Sequence, residues 1–348
     1  MPRVTMATLP DYARYLFAAA QGASAHFPVK RTARLPGMEI TAHLSGGRLA
    51  DALGQAFIQA EGNPSGGRQL SIFIGHPGIG ELPEPAHWGD AHFTEHNFAR
   101  TLAEAGLRGH YFHDLDFWQF YDPEQLIGVQ LMRSTEAFPP WEPGSPLRAF
   151  LHWEYAARGM RLAHAGTLGV DGKGVLLAGA GGAGKSATVV AGLLHGLDSV
   201  GDDYVLVDLE GDVSARPLFS TLKQDPGGFA RLGLKNRLGT DGPLNWQGKH
   251  TFPIEAIAPR PIPASMDIFA LMVPHIHRGE TSSIVPMSRR DAMIALAASG
   301  IAQMPGERES GFRFFSDLTR LLPCYRLSLG RHPVEIAGTI ADFLARGA

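Results

Sequence analysis

Gly174-Val-Leu-Leu-Ala-Gly-Ala-Gly-Gly-Ala-Gly-Lys-Ser-Ala-Thr-Val-Val190 joins an apolar run, a cluster of glycines, a Lys-Ser pair and a second apolar run. From Gly179 to Ser186 it fits G-x-x-x-x-G-K-S/T, the Walker A pattern, whose glycines let successive backbone amides turn inward around phosphate oxygens. Val175 to Ala178 reads as a short buried strand. Val189, Val190, Leu193 and Leu194 have the spacing of one helix face from Ala187 onward. Phosphate would then sit at a helix N-terminus, cradled by Gly179, Gly181, Gly182, Ala183, Gly184, Lys185, Ser186 and Ala187. Lys185 is expected to face solvent until the β/γ-phosphates of ATP arrive, and the Ser186 hydroxyl to ligate Mg²⁺. The chemistry so implied is phosphoryl transfer or nucleoside triphosphate hydrolysis. A Gly-rich strand–helix turn with a surface lysine is the plainer alternative.

Two flanking segments carry further chemistry. Upstream, Leu162-Ala-His164-Ala-Gly-Thr-Leu-Gly-Val170 precedes Asp171-Gly172, a strong hairpin signal between two apolar runs. An antiparallel strand beside the loop strand follows, with His164 near one end of the sheet. Downstream, Gly201-Asp202-Asp203 sits between apolar runs. Adjacent carboxylates there are costly unless a cation or a proton balances them. Mg²⁺ is the natural candidate, and an acidic turn between strands the alternative.

With His164 standing 21 residues before Lys185, and Asp202 and Asp203 standing 17 and 18 after it, the chain resembles the HPr kinase/phosphorylase-like P-loop serine kinases. The resemblance spans about Trp153 to Asp208. It implies an α/β fold with a PEP-carboxykinase-like P-loop kinase domain and a mixed sheet. It also implies that Asp203 takes the acceptor hydroxyl proton, that Asp202 holds Mg²⁺ with Ser186, and that His164 supports the aspartates or the acceptor. The Glu-Ile-Arg-Gly-Leu-Gly type of signature found in HPr kinases is absent. In its place stand Leu218-Phe-Ser-Thr-Leu-Lys223, Asp225-Pro-Gly-Gly and a basic segment with Lys235, Arg237, Lys249 and Arg260. This layout is similar to HPr-kinase-related proteins such as lasso-peptide precursor kinases, which phosphorylate a peptide hydroxyl. In that comparison Lys223 touches phosphate or substrate, and the acceptor is a Ser/Thr hydroxyl of a peptide or protein. A small-molecule kinase, a P-loop ATPase and a nucleotide-responsive binding module without turnover are the other readings.

The rest of the chain bounds these expectations. At 348 residues it is long for one core, so one large or two unequal domains are expected. Phe138-Pro-Pro-Trp-Glu-Pro-Gly-Ser-Pro146 is dense in turn formers and marks the joint. It separates an α+β domain over 1–140, a candidate recognition module, from the kinase domain over 141–348. A net charge of −3 argues against nucleic acid or a membrane surface as partner, and self-association stays open. The single cysteine, Cys324, suits a reducing cytoplasm and reads as a core residue. No secretory signal and no membrane-length apolar window is visible. In the N-terminal part, Asp11 is the expected N-cap of a first helix with Tyr12, Leu16 and Phe17 on its apolar stripe. Strands are expected at Leu70–Ile74, Asp116–Asp122 and Leu126–Met132, and Gly75–Gly80 reads as a loop. His92, His96, His110 and His113 lack a completing carboxylate or thiolate, so they read as solvated rather than metal-binding. Toward the C-terminus, Met266–Pro274 and Tyr325–Leu329 read as strands, with His275 and His277 at a strand end. Asp291–Ala302, Phe312–Leu322 and Pro333–Arg346 read as helices.

Overall fold

The computed structural model describes residues 8–60, 67–85, 95–133, 138–240, 242, 244–277, 279–297 and 308–347. The chain is an α/β protein built on two mixed sheets, and it divides into two compact units, Met1–Glu154 and Tyr155–Ala348.

The first unit runs α1 (Leu9–Gly22), β1 (Val29–Leu35), β2 (Met38–Leu44), α2 (Arg48–Gln55), β3 (Arg68–Gly75), α3 (Glu95–Glu104), β4 (Arg108–Phe112), β5 (Phe117–Asp122) and β6 (Ile127–Leu131). Its sheet has the order β1-β2-β3-β6-β5-β4, with β3 parallel to both neighbours and the outer pairs antiparallel. Tyr12, Leu16 and Phe17 of α1 enter the core as their spacing predicts, against Phe98, Phe120 and Val129. Thr8, not Asp11, caps that helix. The Asp11 amide donates to Thr8 Oγ1 at 3.3 Å, which places Asp11 in the first turn after Pro10.

The division falls at Glu154/Tyr155, later than the Pro-rich joint suggests. Helix α4 (Arg148–Ala156) belongs to the first unit as far as Glu154. Tyr121 Oη donates to Glu154 Oε2 at 2.6 Å, Arg68 pairs with the same carboxylate, and the Trp153 ring lies parallel to that of Tyr121. A buried carboxylate that needs both partners ties the helix to the first unit.

The second unit contains β7 (Arg161–Ala163), β8 (Ala165–Val170), β9 (Lys173–Ala178), α5 (Lys185–Leu194), β10 (Val205–Asp208), β11 (Ser214–Arg216), β12 (Thr221–Gln224), α6 (Pro226–Arg231), α7 (Leu234–Leu238), β13 (His250–Pro253), β14 (Met266–Ile276), β15 (Ser283–Pro286), α8 (Arg289–Leu296), α9 (Arg308–Leu321), β16 (Cys324–Leu329) and α10 (Pro333–Gly347). β14 is the hub of the large sheet. It is parallel to β9 on one side and to β16 on the other, and its first residues pair with β11, which continues through β10 to β7. β8 closes onto β9 as the Asp171-Gly172 hairpin predicts; both turn residues have positive φ, 50° and 80°, the geometry of a tight hairpin that matches strand twist. β12 and β13 form a separate two-stranded arm. The strand expected over Leu162–Val170 is broken at His164: β7 pairs with β10, and β8 with β9. The break leaves His164 at the junction of the two ladders.

Candidate active site

The glycine loop leaves the end of β9 and enters α5 directly, so the sequence forms the expected strand–loop–helix. Gly182 has φ 80° and Gly184, the helix N-cap, φ 102°. A Cβ on Gly184 would also stand 2.5 Å from Leu329 Cδ1, so only glycine fits there. Lys185, Ser186 and Ala187 are the first three helical residues, whose amides a helix leaves without intrahelical partners. Gly179, Gly181, Gly182 and Ala183 complete the turn, with the Ala183 amide donating to Ala180 O at 3.2 Å.

Lys185 does not face solvent. Only 7% exposed, it folds back across its own loop and donates to Gly179 O at 2.6 Å. The reason is local: the Gly179 and Ala180 carbonyls are the nearest strong acceptors for a buried ammonium. Burial pulls its proton affinity down, Asp202 and Asp203 push it up, and Lys249 pulls it down again.

The two aspartates sit in a turn pinned to β8. The Thr167 amide donates to Gly201 O at 3.1 Å, the Val200 amide to Thr167 Oγ1 at 2.9 Å, and the Gly201 amide to Ser199 Oγ at 3.1 Å. Asp203 adopts φ +71°, a left-handed conformation that costs a non-glycine residue energy and recurs at functional positions.

The strained turn points the two carboxylates at different partners. Asp202, 2% exposed, is hydrogen-bonded by the Ser186 hydroxyl, while its Oδ1 is buried with no hydrogen-bond partner. Burial raises its carboxyl, the Ser186 hydrogen bond opposes that, and the Asp203 charge adds to it. Asp203 is held from two sides: Lys223 Nζ donates to Oδ2 at 2.6 Å, and His164 Nε2 meets Oδ1 at 3.3 Å. Burial alone would raise its carboxyl, but Lys223 and His164 reverse this and hold it well below the usual range. The His164 ring in turn stacks on Tyr204, 5.5 Å between centroids.

The structure therefore brings together every residue singled out for chemistry in the sequence: His164, Lys185, Ser186, Asp202, Asp203 and Lys223. Hard oxygen donors from Asp202 and Ser186 suit Mg²⁺, and the buried, unbalanced Asp202 oxygen is a charge that a cation would offset.

Three participants were not legible beforehand. Tyr204 and Thr167 reach their partners only through the turn. Gly166 is the third: a Cβ there would meet Val189 Cγ2 at 2.5 Å and Asp202 Oδ1 at 3.0 Å, so the aspartate turn can approach β8 only over a glycine. Its signal was present as Ala-Gly-Thr inside a strand pattern, where a glycine marks close approach.

The histidines of the first unit form no such site. His110 is buried in β4 rather than solvated, with its pKa pushed down to about 3 by burial and by Arg148. His92 and the side chains of His96 and His113 lie outside the described residues. Among the described residues no cluster of three or more metal-ligating side chains occurs, and no helix is long and apolar enough to cross a membrane. His275 lies near the end of β14, as expected, and His277 just beyond it.

No family model matches the chain, and no curated protein matches it. Among solved structures it is similar to the Hpr(Ser) kinase/phosphatase from Coxiella burnetii, at 11% identity and a TM-score of 0.29, over 53% of this chain and 97% of that one.

Proposed function

We propose that the protein is an ATP-dependent, HPr-kinase-like serine kinase that moves the γ-phosphoryl group onto a Ser/Thr hydroxyl of a peptide or protein. The observation that carries this reading is the double hold on Asp203, by Lys223 at 2.6 Å and His164 at 3.3 Å, beside a P-loop lysine. Simple hydrolysis needs a positioned water. An oriented carboxylate backed by a histidine suits an acceptor hydroxyl whose oxygen must be aligned and whose proton must leave.

In this reading the loop amides and Lys185 receive the β/γ-phosphates, and Lys185 exchanges the Gly179 carbonyl for a phosphate oxygen. Mg²⁺, held by Asp202 and Ser186, would supply further neutralisation of phosphate charge. The acceptor oxygen attacks the γ-phosphorus, the bond to the β–γ bridging oxygen breaks, ADP leaves, and the hydroxyl proton passes to Asp203. Asp203 is a weak base while Lys223 and His164 hold it. A loose transition state asks little of the base before the P–O bond to the leaving group has largely broken. Phosphate arriving beside Lys223 offers that ammonium a second anion and relaxes its grip on Oδ2.

The test is to incubate the full chain with ATP, Mg²⁺ and candidate hydroxyl peptides, then follow peptide mass and free phosphate together. One added phosphoryl group on the peptide is the expected result. Phosphate released only to water would mark an ATPase and overturn the reading.

A further inference from the structure

The arm formed by β12 and β13 carries a second lysine toward the same place as Lys223. Its rungs pair Lys223 with Thr251 and Gln224 with His250. Residues two apart along a strand share a face, so Lys249, one residue before β13, falls on the side of the arm that presents Thr251 and Lys223. The Lys223–Asp203 contact fixes where that side looks, which is toward the aspartate turn. Lys249 is not on a loose tether. Its amide donates to Asn245 Oδ1 at 3.0 Å, its carbonyl accepts from the Asn245 amide at 2.8 Å, and the neighbouring His250 bridges to Leu244.

Its charge is what the contacts of the site leave unexplained. Lys223 has Asp203, but Lys249 is half-buried and makes no ion pair among the described residues. It also lies close enough to Lys185 for the two ammonium groups to repel. Like charges held together with no anion between them are costly, and a polyanion placed between them converts the cost into binding. Lys223 meets Asp203, Lys185 lies within electrostatic reach of Asp202 and Asp203, and Lys249 within reach of Lys185, which gathers three positive charges and two negative ones beside a phosphate-binding loop.

We propose that Lys249 is a second phosphate ligand, reaching from the arm to the terminal phosphate of the bound triphosphate opposite Lys185. This rests on the phosphoryl-transfer reading above. The terminal phosphate, rather than the α-phosphate, follows from the arm: its other lysine sits on Asp203, the residue that faces the acceptor. Lys249 makes and breaks no bond. It offsets charge on the equatorial oxygens as the phosphoryl group passes.

The experiment compares binding of AMP-PNP and of ADP, each with Mg²⁺, to the full-length parent, Lys249→Met and Lys249→Arg, alongside kcat. Lys249→Met is expected to weaken AMP-PNP by about tenfold or more, the worth of one charge-assisted hydrogen bond, and to leave ADP within about threefold. Its kcat should fall with it, and Lys249→Arg should restore the AMP-PNP preference. A structural role would move both nucleotides together, so an AMP-PNP-to-ADP ratio equal to that of a parent that binds both overturns the inference alone, whatever happens to kcat. If Lys249→Met does not fold, the ratio is read on Lys249→Gln against Lys249→Arg. A parent that binds neither nucleotide overturns the inference together with the reading on which it rests.

Discussion

Lys223 Nζ lies 2.6 Å from Asp203 Oδ2, and this contact decides the charge state of the candidate base. Burial would otherwise push the Asp203 carboxyl up, but with Lys223 and His164 beside it the group stays ionised at pH values well below the ordinary carboxylate range. A depressed folded-state pKa contributes stability above the unfolded value, and that stability is lost as pH falls. In Lys223→Met, burial is opposed only by His164, so protonation begins nearer neutrality. Acid unfolding of that variant should move to higher pH, and the acid limb of its residual kinase activity should move with it. Circular dichroism against pH reads the first and initial rates the second. Coincident profiles for parent and variant would show that Lys223 does not set the state of Asp203.

His164→Ala should reduce phosphorylation of a hydroxyl peptide by about 10²–10³-fold, the range of a lost acid–base or orienting group. The physical ground is the 3.3 Å contact to Asp203 Oδ1, fixed by the stack on Tyr204. Background ATP hydrolysis should change much less. Both rates are measured on one preparation. Equal losses would place His164 in service of the nucleotide, and no loss in either would make it a packing residue.

Lys185→Ala should keep the fold and lose transfer. The parent lysine is buried on Gly179 O, so removing it leaves a buried loop carbonyl short of a partner, at about 1–3 kcal/mol of stability. The cost to catalysis is much larger, because the charge that meets the β/γ-phosphates is gone. Thermal unfolding and ATP turnover together check this. Turnover near that of the parent would remove the P-loop assignment.

Much of this site is legible in the sequence, because its determinants are local. The glycine loop, Lys185 and Ser186 are contiguous, and the Asp171-Gly172 turn brings β8 to β9 by itself. The aspartate pair announced itself by the cost of two carboxylates between apolar runs. What stayed hidden depends on distant pairings. Lys223 reaches Asp203 only because β12 leaves the main sheet and pairs with β13 across the long intervening segment. The inward fold of Lys185 reflects a burial that spacing does not encode. Helix α4 follows the Pro-rich joint in sequence, yet Glu154 has its partners, Tyr121 and Arg68, in the first unit.

Asp202→Asn and Ser186→Ala should raise the Mg²⁺ concentration needed for ADP to protect against thermal unfolding, with little change in nucleotide affinity at saturating metal. The two side chains are hydrogen-bonded to each other, so either change removes one hard oxygen donor and disturbs the other. Asp203→Asn should instead leave that requirement in place and abolish transfer. Identical Mg²⁺ titrations for parent and Asp202→Asn would exclude Asp202 from metal binding.

The last prediction concerns the first unit. Glu142 is 1% exposed and its pKa is raised to about 7 by burial, against which the Gln130 amide at 3.3 Å, the Leu147 amide at 3.4 Å and the Arg148 charge work only in part. A folded pKa raised above the unfolded value gives stability that is present at low pH and lost as pH climbs, here between about 4.5 and 7. His110, held neutral by burial and by the same Arg148, acts in the opposite sense below its ordinary range. The parent's own pH profile therefore mixes two opposing slopes. The difference between parent and Glu142→Gln isolates one, because His110 is common to both. Relative to the parent, Glu142→Gln should be more stable at pH 8 than at pH 4 by about 3 kcal/mol, the order expected from a shift of that size. Chemical denaturation at both pH values measures the difference. If it is the same at pH 4 and pH 8, the Glu142 carboxyl titrates alike in the folded and unfolded chain, and its amide partners and Arg148 offset its burial in full.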